Sequence, residues 1–101
     1  IITTKNNLIK LGKDLGAFTI QRLSIRDSLS LDEGIKSIKN TRPDVVEILP
    51  GIIPKVIKKI HLETNIPIIA GGLVIDEEDL VDCLNSGAVA VSTTNKSLWY
   101  L

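Results

Sequence analysis

Two short stretches of the sequence carry the residue types that bind phosphate. Gly71 and Gly72 directly follow the apolar run at residues 66–70, and Ser92 and Thr93 stand at the end of the apolar run that begins at residue 88. Glycines after a strand let backbone N–H groups approach an anion closely. Each stretch alone is better explained by a tight turn or a helix cap. The two together, one structural unit apart, favour a shared phosphate site.

Three charged side chains accompany these stretches. Glu47 is a single acid inside the apolar run at residues 44–49, and a buried carboxylate without a partner is costly. We expect it to accept hydrogen bonds from ligand hydroxyls, or from Lys5 or Arg22. The two cations can pair with Glu47 or with a phosphate. A ligand site and a structural ion pair are both open interpretations of Glu47.

Few residues suggest catalysis. His61 is the only histidine and falls in the last turn of a predicted helix, while Cys83 has no evident base beside it. No spacing typical of metal ligands is present. The residues indicate a site that holds a small phosphorylated polyol without changing it, with no catalytic residue, metal or cofactor. The alternative is a phosphate-binding barrel enzyme, with Glu47 and Lys5 as the plausible acid–base pair.

The elements that must position these residues alternate along the chain. Strand-like runs cover residues 16–23, 44–49, 66–70 and 88–92, and residues 1–2 form the tail of an earlier strand. Several are continuously apolar, which is typical of parallel strands covered on both faces. Helical patterns lie between them, and a short helix is predicted around residues 95–101. The helix signals are a capping-box spacing at Ser30 and Glu33, an alternative cap at Asp27, Pro54 in a first turn, a cap at Asp76, and stops at Gly16 and Gly87.

This alternation predicts a single α/β domain over residues 1–101 with a parallel sheet. A doubly wound open sheet and part of a (β/α)8 barrel both fit. A complete barrel takes about 250 residues, so a chain of 101 residues would supply roughly its second half. The chain begins with Ile1 and contains no Met, which suggests a piece of a longer product. We expect further residues or a partner to cover the open edges and the apolar interior.

Composition excludes several classes of protein. Twelve basic and twelve acidic residues give no net charge, so overall charge does not point to nucleic acid. The helix-borne lysines at 36, 39, 55, 58 and 59 are either a solvated face or a nucleic-acid footprint. One cysteine excludes an internal disulfide and fits a reducing cytoplasm. No apolar run reaches the roughly 20 residues of a membrane span.

Four stretches of the sequence resemble a known family. They are "TIQRLSIRDSLSLDEGIKSI", "PDVVEILPGIIPKVIKKI", "TNIPIIAGGLV" and "GAVAVSTTNKSLW". In combination they resemble the C-terminal half of the glycerol-3-phosphate-responsive antiterminators, also described as glycerol uptake operon antiterminator regulatory proteins. The resemblance covers essentially the whole chain, and the N-terminal half of the family pattern is absent.

The resemblance implies a bacterial cytoplasmic regulator with a barrel-like fold. Such a protein binds glycerol 3-phosphate and then leader mRNA, which prevents a terminator from forming ahead of glycerol-metabolism genes. By the family pattern, the phosphate is expected to be bound by Gly71, Gly72, Ser92 and Thr93. The glycerol hydroxyls are expected to be bound by Glu47, with Lys5 or Arg22 nearby. No membrane partner is implied, and a homo-oligomer is compatible with the pattern.

Overall fold

Helices and parallel strands alternate through the chain. The structure is a computed structural model that describes residues 1–49, 54–71 and 76–91. The strands are β1 (Ile2–Thr3), β2 (Ile20–Ser24), β3 (Val45–Leu49), β4 (Ile68–Ala70) and β5 (Ala90–Val91). The helices are α1 (Asn6–Asp14), α2 (Ser28–Thr41), α3 (Pro54–Thr64) and α4 (Glu77–Asn85). The short helix predicted around residues 95–101 lies outside the described residues.

The order of the strands decides between the two predicted architectures. All pairings are parallel, and the sheet runs β1-β2-β3-β4-β5 in both sequence and space. Right-handed crossovers between successive neighbours place every helix on the same face of the sheet. A doubly wound sheet instead reverses its strand order at a switch point. The sheet is therefore an arc of a barrel, and the open-sheet alternative is wrong.

The four described helices, α1 to α4, cover one face of the sheet. Residues alternate between intermediate and buried along β3, and Val46, Ile48, Ile68 and Ala70 on the helix side are fully buried. The other side, here called the inner face, corresponds to the interior of a barrel. Its side chains are Ile2, Ile20, Arg22, Ser24, Val45, Glu47, Leu49, Ile69 and Ala90. The continuous apolar pattern of the strands therefore reflects two apolar faces, one under the helices and one on the inner side, which the described helices do not reach.

The core lies between the sheet and the helices. Ile35 and Ile38 of α2 and Ile57 and Ile60 of α3 pack against the strands. Cys83 of α4 joins this core and is fully buried, as predicted. Burial, and then the charges of two nearby aspartates of α4, raise the pKa of the Cys83 thiol. A buried thiol of raised pKa is a packing residue rather than a nucleophile.

Side-chain caps fix the starts of two helices. The Asp27 carboxylate accepts a hydrogen bond from the Ser30 N–H at 2.8 Å, and the Ser30 hydroxyl accepts one from the Asp27 N–H at 3.1 Å. The capping box therefore runs from Asp27, and the prediction that Ser30 is the cap is wrong because α2 begins before it. Asp76 caps α4 as predicted, through the Asp79 N–H at 2.9 Å.

Removal of the α2 cap should weaken the fold in a pH-dependent way. The hydrogen bonds from Ser30 lower the pKa of Asp27 below its ordinary 3.8, so the folded state favours the ionised carboxylate. This stabilisation is present above the unfolded pKa and is lost as pH falls through the lowered folded value. We expect Asp27→Ala to lower the Tm by about 5 °C at pH 7.

The difference in Tm between parent and variant should shrink as the pH is lowered below the ordinary carboxyl pKa of 3.8, in melts followed by circular dichroism. Asp32→Ala is the control, because Asp32 lies exposed on the same helix, 3.9 Å from Lys59, in a surface pair of small worth. A Tm loss that is as large at low pH as at pH 7 would contradict the role given to the Asp27 carboxylate.

Candidate ligand-binding site on the inner face

An ion pair marks the inner face of the sheet. The register of β2 and β3 sets Arg22 directly opposite Glu47, and Arg22 Nε donates to Glu47 Oε1 at 2.8 Å. The Glu47 side chain is only 13% exposed, whereas that of Arg22 is 43% exposed. The bond uses one of the five N–H donors of the guanidinium. Arg22 therefore balances the charge of Glu47 and still presents donors toward solvent.

Gly71 borders this pair at the end of β4. A Cβ atom at position 71 would lie 2.9 Å from Leu49 Cδ2 and 3.5 Å from the carboxyl carbon of Glu47. Glycine thus keeps open the space beside the Glu47 carboxylate. The Gly71 N–H already donates to the Ile48 carbonyl at 2.9 Å. Gly71 therefore contributes space at this site, and its own N–H group is engaged within the sheet.

Lys5 stands apart from the ion pair. It directly precedes α1, where its carbonyl accepts hydrogen bonds from the Leu8 and Ile9 N–H groups, and its own N–H donates to Thr3 Oγ1. Lys5 follows β1, which is two strand positions from β3, a separation of roughly 10 Å. Among the described residues, the cation paired with Glu47 is Arg22 and not Lys5.

The predicted site is therefore partly assembled. The structure brings Arg22, Glu47 and Gly71 together, and it leaves Lys5 at the same end of the sheet. Gly72, Ser92 and Thr93 lie outside the described residues. Arg22 and Glu47 also lie within their strands rather than at the ends, because β2 continues to Ser24 and β3 to Leu49.

Gln21, the neighbour of Arg22 in the chain, has a different role. Its side chain is 1% exposed and points toward the helices. Gln21 Nε2 donates to Asn6 Oδ1 at 2.8 Å, and the Thr41 hydroxyl donates to Gln21 Oε1 at 2.6 Å. These bonds tie β2 to α1 and α2. Gln21 is therefore a structural residue on the side of the sheet opposite Glu47.

Arg26 is a further cation at this end of the sheet that the sequence does not single out. It lies just beyond β2, four residues after Arg22, and it is exposed. It lines a cavity of about 240 Å³ beside the start of α2, with Ile25, Asp27, Ser28, Leu31 and Val56. The only signal in the sequence is its place directly after the strand, which many structural residues share.

The arrangement suits recognition more than bond-breaking chemistry. A guanidinium group binds phosphate through paired N–H donors, and an ionised carboxylate accepts hydrogen bonds from hydroxyl groups. His61 is remote, since it packs in the helical layer against Gly87. Within residues 1–49, 54–71 and 76–91, no group of three His, Cys, Asp or Glu residues is arranged to hold a metal ion. No helix in these ranges is long and apolar enough to cross a membrane.

Comparison with known proteins places this chain in a family. The family model for the "Glycerol-3-phosphate responsive antiterminator" matches residues 1–99. The chain belongs to this family. The predicted resemblance is thereby confirmed, and the family is named for responsive antiterminators.

Individual relatives agree with the family assignment. Over all 101 of its residues, the chain is 46% identical to the uncharacterized protein YgcP of Escherichia coli K12. The match covers 53% of YgcP. A glycerol uptake operon antiterminator regulatory protein of Listeria monocytogenes superposes with a TM-score of 0.93 at 42% identity, over 99% of this chain and 54% of that one. A glycerol uptake operon antiterminator-related protein of Thermotoga maritima superposes with a TM-score of 0.88 at 36% identity, over 100% of this chain and 57% of that one. The chain thus spans about half the length of each of these relatives.

More distant likenesses show the fold alone. An aldolase, QR15, superposes with a TM-score of 0.72 at 13% identity, over 88% of this chain and 45% of that one. It supports a barrel-like α/β fold for this chain and says nothing of its chemistry.

Proposed function

We propose that the chain is the effector-binding part of a bacterial transcription antiterminator that acts in the cytoplasm. It binds glycerol 3-phosphate and, in the complete protein, leader mRNA, so that termination ahead of glycerol-metabolism genes is prevented. The observation that carries this proposal is the Arg22–Glu47 pair beside Gly71 on the inner face, in a chain of the glycerol-3-phosphate responsive family. The effector is the only small ligand proposed, with no cofactor.

Each part of the ligand has proposed contacts. Glu47 accepts hydrogen bonds from the glycerol hydroxyls, and Arg22 and Lys5 supply positive charge at the same end of the sheet. We assign the phosphate to Gly71 and Gly72 together with Ser92 and Thr93. Because the Gly71 N–H is engaged with Ile48, we assign the N–H donor to Gly72 and the remaining donors to the two hydroxyl groups.

The chain is further proposed to correspond to the C-terminal half of the antiterminator barrel, as a single (β/α) domain over residues 1–101. Its helices cover one face of an arc of five strands, and it spans 53% of YgcP. Effector affinity and RNA binding are therefore properties that we assign to the complete protein and test first on this chain.

Calorimetry with glycerol 3-phosphate tests the ligand site. The parent chain should bind, Gly72→Asp should abolish binding because it sets a carboxylate against the phosphate, and Glu47→Gln should weaken binding about tenfold, or ~1.4 kcal/mol. Asn40→Asp is the control, since it adds the same charge on the exposed side of α2. Glycerol and inorganic phosphate, titrated separately, report which half of the ligand is recognised.

Two results would count against the proposal. Unchanged affinity for glycerol 3-phosphate in a folded Gly72→Asp chain would show that the phosphate does not bind beside Gly72. Turnover of triose phosphates that disappears in Glu47→Gln would establish the enzyme alternative in place of a regulator.

The lysines of α2 and α3 are the candidate RNA surface. Lys55, Lys58 and Lys59 line one cavity of about 380 Å³, and Lys59 also lines a second one of about 270 Å³ with Lys36 and Lys39. Charge is uneven over the described helices, because α4 carries four acidic residues and no basic one, whereas α3 carries three lysines and a single acid, Glu63. A polyanion would therefore meet α2 and α3 rather than α4.

Neutralising α3 should weaken RNA binding and its dependence on salt. We expect Lys55→Gln, Lys58→Gln and Lys59→Gln together to reduce the slope of log affinity against log salt by about 2. Filter binding of a labelled glycerol-operon leader transcript, in the presence of glycerol 3-phosphate and over a series of salt concentrations, measures it. Lys10→Gln, an exposed lysine of α1, is the matched control. An unchanged slope in the triple variant would place the RNA elsewhere.

A further inference from the structure

Glu47 has hydrogen-bond acceptor positions to spare on the inner face. A carboxylate offers about four such positions, and among the residues that the structure describes, the donor that reaches Glu47 is Arg22 Nε, at 2.8 Å from Oε1. The residue beside Glu47 on β4 is Ile69, whose side chain has no polar atom. The side chain of Glu47 is only 13% exposed, so water reaches it in part. A ligand that lies against Glu47 therefore meets acceptors, at Oε2 and at the second lone pair of Oε1.

The space beside this carboxylate is open because position 71 is glycine. A Cβ atom there would lie 3.5 Å from both Cγ and Cδ of Glu47 and 2.9 Å from Leu49 Cδ2. Even one methyl group at this position would thus press against the neighbouring side chains. A small ligand that lies against Gly71 comes into contact with the Glu47 carboxyl group, with Leu49 as an apolar wall.

The chemistry of a carboxylate restricts which ligand group can lie against it. An ionised carboxylate only accepts hydrogen bonds, whereas a hydroxyl group donates as well as accepts. A carbonyl oxygen also only accepts, so beside Glu47 it would leave both groups unpaired and set two electron-rich oxygens against each other. Arg22 does not discriminate in this way, because its N–H groups donate to phosphate, hydroxyl and carbonyl oxygens alike. Any difference between a hydroxyl and a carbonyl therefore arises at Glu47.

We propose that Glu47 makes the site selective for a phosphorylated polyol over the ketone of the same carbon skeleton. This inference rests on the proposed function, in which the effector hydroxyls lie against Glu47, and it adds the basis of selectivity. The two carboxylate oxygens accept hydrogen bonds from the two neighbouring hydroxyls of glycerol 3-phosphate. A carbonyl at the middle carbon removes one of these donors and puts an acceptor in its place. The site thus distinguishes the oxidation state of its ligand.

Glu47→Gln changes this preference at a single atom. The Arg22 N–H can donate to the amide oxygen as it now donates to Glu47 Oε1, and this bond places the amide nitrogen at the position of Oε2. The ligand then meets an N–H donor, for which a carbonyl oxygen is a matching partner. Removal of the negative charge affects both ligands alike, because both carry the same phosphate. The ratio of the two affinities therefore isolates the hydrogen-bonding effect from the effect of charge.

Calorimetry with two ligands tests the inference. Glycerol 3-phosphate and dihydroxyacetone phosphate are each titrated into the parent chain, and we expect the polyol to bind about 100-fold more tightly than the ketone. In Glu47→Gln the ratio should fall to about tenfold or less, because the polyol loses affinity while the ketone gains a donor. Glu33→Gln is the matched control, since it makes the same chemical change at an exposed position of α2 and should keep the parental ratio. Circular dichroism verifies that both variants are folded.

A third ligand separates the missing donor from the misplaced acceptor. 3-Hydroxypropyl phosphate keeps the phosphate and the terminal hydroxyl and has no oxygen on its middle carbon. It should bind the parent chain about tenfold more weakly than glycerol 3-phosphate, and the ketone should bind more weakly still. A ketone that binds as tightly as this ligand would show that its carbonyl meets no acceptor, which would overturn the selection by Glu47.

The outcomes distinguish this inference from the proposed function. Equal affinity of the parent chain for the polyol and the ketone would overturn the inference and leave the effector site in place. A loss of affinity by the same factor for both ligands in Glu47→Gln would give Glu47 a structural role and would also overturn the inference alone. Binding of neither ligand by the folded parent chain would overturn the proposed function and the inference together.

Discussion

Replacing Ile48 by alanine should lower the free energy of unfolding of this chain by about 3 to 4 kcal/mol. Ile48 lies in the middle strand of the sheet, is 0% exposed and belongs to the cluster formed with Ile38, Ile57 and Ile60. Truncation removes apolar contacts and leaves a cavity that close-packed neighbours fill only in part. In a domain whose total stability is about 5 to 15 kcal/mol, urea unfolding followed by circular dichroism measures such a change readily.

Ile69→Ala provides the matched comparison. Ile69 is the same residue type on the adjacent strand, but it faces the inner side and is only partly buried. We expect a loss of about 1 kcal/mol or less, because little cover is removed when its side chain is truncated. Equal losses for the two variants would mean that both faces of the sheet are covered in the isolated chain, which contradicts the one-sided cover described here.

Gln21→Leu is the second substitution with a large expected effect on stability. It leaves the side-chain oxygen Oδ1 of the partly buried Asn6 without its donor, while the Thr41 hydroxyl keeps its hydrogen bond to the Ser37 carbonyl. Leaving one such polar group unsatisfied costs about 1 to 3 kcal/mol, so we expect a loss of about that size. Urea unfolding measures this loss, and Ser24→Ala, on the exposed inner side of the same strand, should change the free energy of unfolding by less than about 0.5 kcal/mol.

A double-mutant cycle separates the network from simple packing. Thr41→Val removes the hydroxyl that donates to Gln21 while it keeps the shape of the side chain. Since the two residues share one hydrogen bond, the double variant should lose clearly less stability than the sum of the single variants. Strict additivity would show that the bond between Gln21 and Thr41 contributes nothing measurable.

Local signals in the sequence predicted the elements well. Asp76 and Gly87 bound α4 as expected, and the last two strands fall within the predicted apolar runs. The start of α2 was harder, because Asp27 and Ser30 are both good caps and each has a capping-box pattern within reach. Only the backbone of the helix shows that Asp27 takes the cap position and Ser30 the third helical position.

The site was less accessible to sequence reasoning because it depends on register. Arg22 and Gln21 are neighbours in the chain, yet one faces Glu47 and the other faces α1 and α2. A strand alternates its side chains between two faces, so a shift of one residue would exchange these roles. The choice of Arg22 over Lys5 as the partner of Glu47 likewise follows from the pairing of β2 with β3. Composition and spacing do not encode that pairing directly.

The matching order of the strands in sequence and space has a consequence for folding. Each strand's neighbours in the sheet are also its neighbours along the chain, as in a solenoid of repeated units. Every new strand therefore closes a loop of one unit only, and the entropic cost of closure stays constant as the sheet grows. Such a chain can assemble by accretion from any adjacent pair of units, and it can be lengthened or shortened by whole units without rearranging the others. A barrel built this way is easily divided between polypeptides. A cut between two units separates only the two strands that flank the cut and the two strands that meet where the barrel closes.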